Sequence, residues 1–221
     1  MVNSVVQMVH KHKLIAIIRG IDPSKGLELA KALYEGGVRL MEVTFDQKDK
    51  EKHKDTVALI AAIKDFFGDS VRVGAGTVTT PELVCMAKNA GAEYIISPDC
   101  KEAVIRKTKE LGLISMPGAL TPTEVTNAHD WGADFVKLFP VGCMGTAYIK
   151  AVRAPLNHVD LLAVGGVNDS NMIDYLDAGC CGVGMGGSLV NRKWIDAGEF
   201  DKITTYAKAV VEKIKKWGND R

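Results

Sequence analysis

A chain of 221 residues, 47% hydrophobic and 25% charged, holds apolar mass for one large core and the surface charge of a soluble globular protein. Its formal net charge of +1 supplies no global field for nucleic acid or an anionic membrane, and no apolar run reaches spanning length. The five cysteines are odd in number and form no Cys-x-x-Cys, and the N-terminus lacks the apolar core of a secretory signal, so a disulfide framework is disfavoured and a reducing, cytoplasmic setting is expected.

Along the chain, short apolar runs alternate with helix-like segments. Val2–Lys11 precedes the first run and reads as a helix plugging a barrel floor. Leu14–Ile18 is the first strand, closed by Arg19; Asp22 and Pro23 then give an N-cap and a first-turn proline for a helix to Glu35. Leu40–Phe45 and Val71–Ala75 follow, and Thr80-Pro81-Glu82-Leu83 repeats the start signal. Tyr94–Ile96 and Gly112–Met116 come next, then Thr121-Pro122-Thr123-Glu124 opens another helix. Phe135–Leu138, Leu161–Val164 and Gly182–Met185 complete the strands, and Lys202–Trp217 reads as the closing helix. Gly36, Gly91, Gly132 and Gly179 each stand where a helix must stop before the next strand. Eight strands with crossover helices predict an α/β fold, a (β/α)8 TIM barrel, with residues 1–221 forming one domain and an extra N-terminal helix. A doubly wound open sheet is the alternative, and eight units rather than five or six weigh against it.

Polar residues fall at the C-terminal ends of these strands, where such barrels keep their chemistry. Reading that edge gives Arg19, Glu42 with Thr44, Gly74-Ala75-Gly76-Thr77, Ser97-Pro98, Pro117-Gly118, Lys137, Gly165-Gly166 and Gly187-Ser188. Lys137 lies within Ala-Asp-Phe-Val-Lys-Leu-Phe-Pro, a run fit for a buried parallel strand. A buried ammonium is costly, so the lysine either surrenders its proton and becomes a nucleophile or snorkels to water from an edge strand. Glu42, among apolar neighbours, is either a general acid/base with a raised pKa or a structural partner of Arg19 or Lys137. Arg19 offers a planar fork suited to a carboxylate. Thr77 follows a glycine-rich strand end that can bind an oxyanion or can simply be a turn. The glycine pairs after the last two strands suit a phosphate, with tight closure of the barrel as the other reading. Gly182-x-Gly184-x-Gly186-Gly187 lacks the following unit of a dinucleotide fingerprint. No metal is expected: His10, His12, His53, His129 and His158 scatter over helices and the bottom edge.

These phrases together resemble the class I KDPG/KHG aldolase family, the 2-dehydro-3-deoxy-6-phosphogluconate and 4-hydroxy-2-oxoglutarate aldolases. The likeness runs through Ile15-Ala16-Ile17-Ile18-Arg19-Gly20, Glu42-Val43-Thr44, Val73 to Val78, Ser97-Pro98, Pro117 to Glu124, Phe135 to Pro140, Gly165-Gly166-Val167 and Gly186 to Val190. It implies a lyase that joins Lys137 to pyruvate as a Schiff base, with Glu42 as acid/base. It further implies that Thr77 holds the substrate carboxylate, Pro98 and Pro117 wall the pocket, and Gly165, Gly166, Gly187 and Ser188 cradle a phosphate. No cofactor, nucleic acid or membrane is implied; the partners are a small keto-acid substrate and the other chains of a homotrimer. One position departs: many members place a carboxylate-clamping arginine where this chain has Asp46, and Arg19 is the residue placed to supply that charge. A phosphosugar epimerase or isomerase, and a silent phosphosugar-binding relative, are the competing functions.

Overall fold

The computed structural model describes residues 4–219. Its strands are β1 (Leu14–Ile18), β2 (Leu40–Thr44), β3 (Arg72–Gly76), β4 (Tyr94–Ile96), β5 (Ile114–Met116, resumed as Gly118–Ala119), β6 (Val136–Leu138), β7 (Leu161–Val164) and β8 (Gly182–Met185). Helices α1 (Ser4–His12), α2 (Pro23–Glu35), α3 (His53–Phe67), α4 (Pro81–Asn89), α5 (Glu102–Glu110), α6 (Pro122–Asp130), α7 (Gly145–Arg153), α8 (Met172–Asp177), α9 (Arg192–Asp196) and α10 (Phe200–Asn219) fill the connections. Among the described residues, no helix is long and apolar enough to cross a membrane.

All strand pairs are parallel and follow chain order from β1 to β5, with β8 closing back on β1. The ring is completed within β5. Its first piece pairs with β4 and its second with β6. Pro117 stands between the pieces; having no N–H it interrupts the ladder, while its carbonyl still accepts the Lys137 amide at 2.9 Å. The open-sheet alternative is thereby excluded.

Alternation along each strand sends one set of side chains into the lumen and the other onto the helices. The lumen set is Ile15 and Ile17, Leu40, Tyr94 and Ile96, Ile114 and Met116, Phe135, Leu162 and Val164. Val5 and Val9 of α1 join it from below, so the helix does plug the floor; Val2 of the expected segment lies outside the described residues. The outward set packs against α2 to α10 in a larger core.

The cap signals are realised in full. Asp22 and Thr80 accept from Ser24 N and Leu83 N, and Thr121 with Glu124 forms a full capping box. One stop differs from expectation. Gly36 has an ordinary helical φ of −70°, and Gly37, at +93°, makes the left-handed turn. A methyl on Gly36 would lie 2.4 Å from Ala207 Cβ, so that glycine serves the close approach of α10 instead. The edges of β2, β3, β5 and β6 also move by one or two residues from the expected runs.

Candidate active site

The lumen alternation that is apolar at the floor continues upward as Glu42 and Thr44 on β2, Gly76 on β3 and Lys137 on β6. Lys137 is 4% exposed and Glu42 1% exposed. β6 is an interior strand, paired on one side to β5 and on the other to β7, so the edge-strand reading of Lys137 fails. Its entry is fixed by Asp134, whose carboxylate takes Lys109 Nζ at 2.5 Å and the Ser115 amide at 2.8 Å.

Glu42 fits because its neighbours on β3 lack side chains. Its register partner on β3 is Gly74, and a Cβ on Gly76 would sit 1.7 Å from Glu42 Oε1. Gly74 in turn is overlain by the Tyr94 ring, whose hydroxyl donates to the Met41 carbonyl at 2.7 Å. Burial pushes the Glu42 carboxyl up, against the pull of Lys137 and Arg19. Burial likewise pushes the Lys137 amine down, with Glu42 opposing and Arg19 adding to the drop. Each group is thus biased toward its neutral form. Among the described residues no ion pair at contact distance joins Glu42 to Lys137 or Arg19, although both pull on its charge. The Phe139 ring lies 4.6 Å from Lys137 Nζ. An amine and a carboxyl each biased toward the neutral form thus share one lumen, a combination that suits covalent catalysis with acid/base transfer.

Two cavities open at the C-terminal ends of the strands; Lys137 lines the smaller, and Glu42 lines neither. The smaller, about 350 Å³, brings together Lys137, Arg19, Gly165, Gly166, Gly187 and Ser188. Gly165 and Gly166 have φ of +91° and +80°, and Asn171 braces the turn by donating to the Gly166 carbonyl at 2.9 Å. The larger, about 520 Å³, shares Arg19 and adds Thr77, Asp46 and Gln47. Arg19, exposed at the end of β1, therefore stands at the boundary of both.

Pro98 and Pro117 line neither cavity. The Pro98 carbonyl lies where a Cβ on Gly118 would stand, at 2.4 Å, and Pro117 is buried at the break in β5. Asp46 lines the larger cavity with Arg19 and Thr77, and one of its carboxylate oxygens is engaged by its own loop. Its Oδ1 accepts the amides of Lys48 at 2.8 Å and Asp49 at 3.1 Å, and those bonds hold its carboxyl below the usual range. Sequence reasoning does not reach Tyr94, Phe139, Gln47 or Asn171. An aromatic in a lumen run is the signal for the first; the other three depend on loop paths that no local pattern reveals.

Away from the site, His10, Asp160 and Cys181 gather at the floor, with His10 Nε2 3.2 Å from Asp160. Burial pushes the Cys181 thiol far up, and it is turned to the Leu161 carbonyl at 3.3 Å while Lys13 donates to the Cys181 carbonyl. A protonated thiol beside an ammonium is a poor cation ligand, and the His10–Asp160 pair is satisfied in itself.

A closed parallel barrel with a buried lysine and a buried glutamate in its upper lumen has the architecture of a barrel enzyme, whose chemistry sits at the C-terminal ends of the strands. The family model described as KDPG and KHG aldolase matches residues 5–206. The 2-dehydro-3-deoxy-6-phosphogalactonate aldolase of Escherichia coli K12 is 37% identical over 185 residues, covering 83% of this chain and 87% of that protein. A solved structure described as native KDPGal superposes with a TM-score of 0.83 at 33% identity, over 93% of this chain and 96% of that one. The KDPG aldolase of Legionella pneumophila, solved with pyruvate captured as a covalent carbinolamine intermediate, gives 0.84 at 25% identity over 94% and 98%. The chain belongs to the KDPG/KHG aldolase family, and it is an aldolase, a carbon–carbon lyase.

Proposed function

We propose that this aldolase cleaves a 2-keto-3-deoxy acid, 2-dehydro-3-deoxy-6-phosphogluconate or its galactonate epimer, to pyruvate and glyceraldehyde 3-phosphate. 4-Hydroxy-2-oxoglutarate, giving pyruvate and glyoxylate, is a second substrate of the same chemistry. In this reading the neutral Lys137 amine attacks C2 of the keto acid, and Glu42 protonates the departing water. The resulting protonated imine accepts the electrons of the C3–C4 bond as the C4 hydroxyl loses its proton. An enamine of pyruvate and a free aldehyde result; protonation at C3 and hydrolysis release pyruvate. Thr77 and Arg19 hold the carboxylate, and Gly165, Gly166, Gly187 and Ser188 hold the phosphate on backbone amides. Pro98 and Pro117 act as walls only through the strand ends they shape.

The observation that carries this is the placement of Lys137 on an interior strand, 4% exposed, with Glu42 inside the same lumen. An isomerase needs the acid but not a buried, unpaired amine. The test is incubation with pyruvate and borohydride followed by peptide mass spectrometry. A reduced pyruvyl adduct on Lys137, lost in Lys137→Ala with the fold intact, is expected. A folded protein whose Lys137 stays unmodified would refute the Schiff-base assignment. We further take residues 1–221 as one domain, assembled as a cytoplasmic homotrimer. The cysteines Cys85, Cys100, Cys143, Cys180 and Cys181 are all free, which suits a reducing compartment, and light scattering at three times the chain mass would support the trimer.

A further inference from the structure

The loop from β2 to α3 does something that the chemistry above leaves unused. With its Oδ1 accepting the amides of Lys48 and Asp49, Asp46 curls the chain, and His53 Nε2 lies 2.7 Å from the Asp46 carbonyl to pin the curl to α3. The curl lays Gln47 against the loop that follows β3. Its Nε2 donates to the Thr77 carbonyl at 2.9 Å, and its Oε1 accepts the Thr79 hydroxyl at 2.6 Å. Both ends of the amide are therefore engaged, and by the same short segment.

That segment is strained where it matters. Thr77 has φ of +56°, in the left-handed region that a β-branched residue avoids. Such a conformation persists only when surrounding bonds over-determine it, and it collects at sites where geometry serves function. On one side of Thr77, the Phe45 amide donates to the Gly76 carbonyl at 2.9 Å; on the other, the Val78 amide donates to the Ile96 carbonyl at 3.2 Å. The Thr77 carbonyl itself is held by Gln47, which lines the same cavity as Thr77 and Arg19.

We infer that Gln47 is a positioning residue for carboxylate recognition, holding Thr77 in its left-handed turn so that it faces the substrate. The inference rests on the reading of Thr77 as a carboxylate-holding residue. Asp46 and Gln47 then act in sequence, the first shaping the loop and the second carrying that shape across to β3. Recognition depends on pre-set hydrogen-bond geometry at Thr77, with Arg19 supplying the positive charge.

The test compares Gln47→Ala, Gln47→Glu, Thr77→Ala and the Gln47→Ala/Thr77→Ala double variant. Pyruvate affinity is read by calorimetry, and the saturating rate of borohydride trapping is read alongside it. Gln47→Glu keeps an acceptor for Thr79 but sets a charged oxygen against the Thr77 carbonyl, so it turns that bond into a repulsion and adds charge to the cavity; Gln47→Ala removes both bonds without adding charge. Both Gln47 variants should weaken pyruvate by roughly five- to thirtyfold, with the saturating rate within about twofold of wild type. Thr77→Ala should weaken it at least as much, and the double variant should be no worse than Thr77→Ala alone. If Thr77→Ala weakens pyruvate while both Gln47 variants bind normally, the positioning role is overturned. Additive losses in the double variant overturn it too, as does a fall in melting temperature with affinity unchanged, which marks a mere loop tether. Unchanged affinity in Thr77→Ala removes the carboxylate reading and the positioning role with it. A wild-type protein that takes up no pyruvate removes both.

Discussion

Lys137 and Glu42 are pushed toward neutrality by the same burial, and each draws the other back toward its charged form. Adduct formation requires the free amine, so the rate of pyruvate trapping should rise with pH around a midpoint below the ordinary lysine value of 10.5. The signs at the neighbours follow. Glu42 raises the Lys137 pKa, so Glu42→Gln should move the midpoint to lower pH while slowing the reaction. Arg19 lowers it, so Arg19→Met should move the midpoint up. A pH profile of trapping at saturating pyruvate reads both; shifts of the opposite sign would place the titrating group elsewhere. Another residue separates phosphate binding from barrel closure. A Cβ on Gly187 meets no protein atom within 4 Å, and its φ is not in the left-handed region. Gly187→Ala should leave unfolding stability within about 0.5 kcal/mol. If a phosphate rests on that amide, the methyl intrudes on it and raises KM for a phosphorylated keto acid about tenfold, while pyruvate affinity is unchanged. Equal KM values for the two proteins would assign the turn to closure alone.

At the scale of elements, strand and helix periods were readable because apolar runs and cap residues act locally. Asp22, Thr80 and Thr121 bond amides two or three residues away, so their meaning needs no tertiary context. Register across strands is different. That Gly76 lies beneath Glu42, and that β5 breaks at Pro117 to let the ring close, are facts about neighbours distant in the chain. The direction of Asp46 was equally hidden, since an aspartate near a pocket and one folded onto its own loop share a sequence. The surroundings of the prolines were hidden for a related reason: the Pro98 carbonyl lies against Gly118, and Pro117 stands buried at the β5 break. Gly76 yields a test of strand-to-strand fit. Its backbone is compatible with alanine, but the added methyl would meet Glu42 Oε1 at 1.7 Å and drive the acid from its place. Gly76→Ala should destabilise by about 1–3 kcal/mol, a small-to-large cost. It should also lower turnover by roughly a hundredfold or more, the scale of a lost acid/base. Circular dichroism and steady-state kinetics together check it; normal turnover in the folded variant would show that Glu42 can work from another position.

The molecule as a whole divides its lumen by height. Apolar side chains fill the floor, glycines make space in the middle, and charged groups stand at the mouth, so the lysine and glutamate are desolvated from beneath as well as from the sides. Helix α1 completes that floor. Val9 is 1% exposed, within the cluster that contains Ile15, Phe135 and Leu162. Placing a carboxylate there by Val9→Asp sets an unpaired charge in an apolar layer, at a cost of about 3 kcal/mol or more. The cost has a definite pH dependence. The introduced acid's folded pKa lies above its unfolded value of about 3.9, so the variant approaches wild-type stability below that value and loses ground as pH rises through the folded pKa. Denaturant titrations at acid and neutral pH read that slope. The site lies at the opposite end of the strands, so the folded fraction of Val9→Asp should bind pyruvate as tightly as wild type, and affinity measured where the variant is fully folded decides the matter. A tenfold loss there would mean that the floor reaches Lys137 through the intervening layer, for instance by admitting water that relieves the desolvation of its amine. Unchanged affinity with reduced stability would show that α1 contributes to the fold and that the mouth alone sets the chemistry.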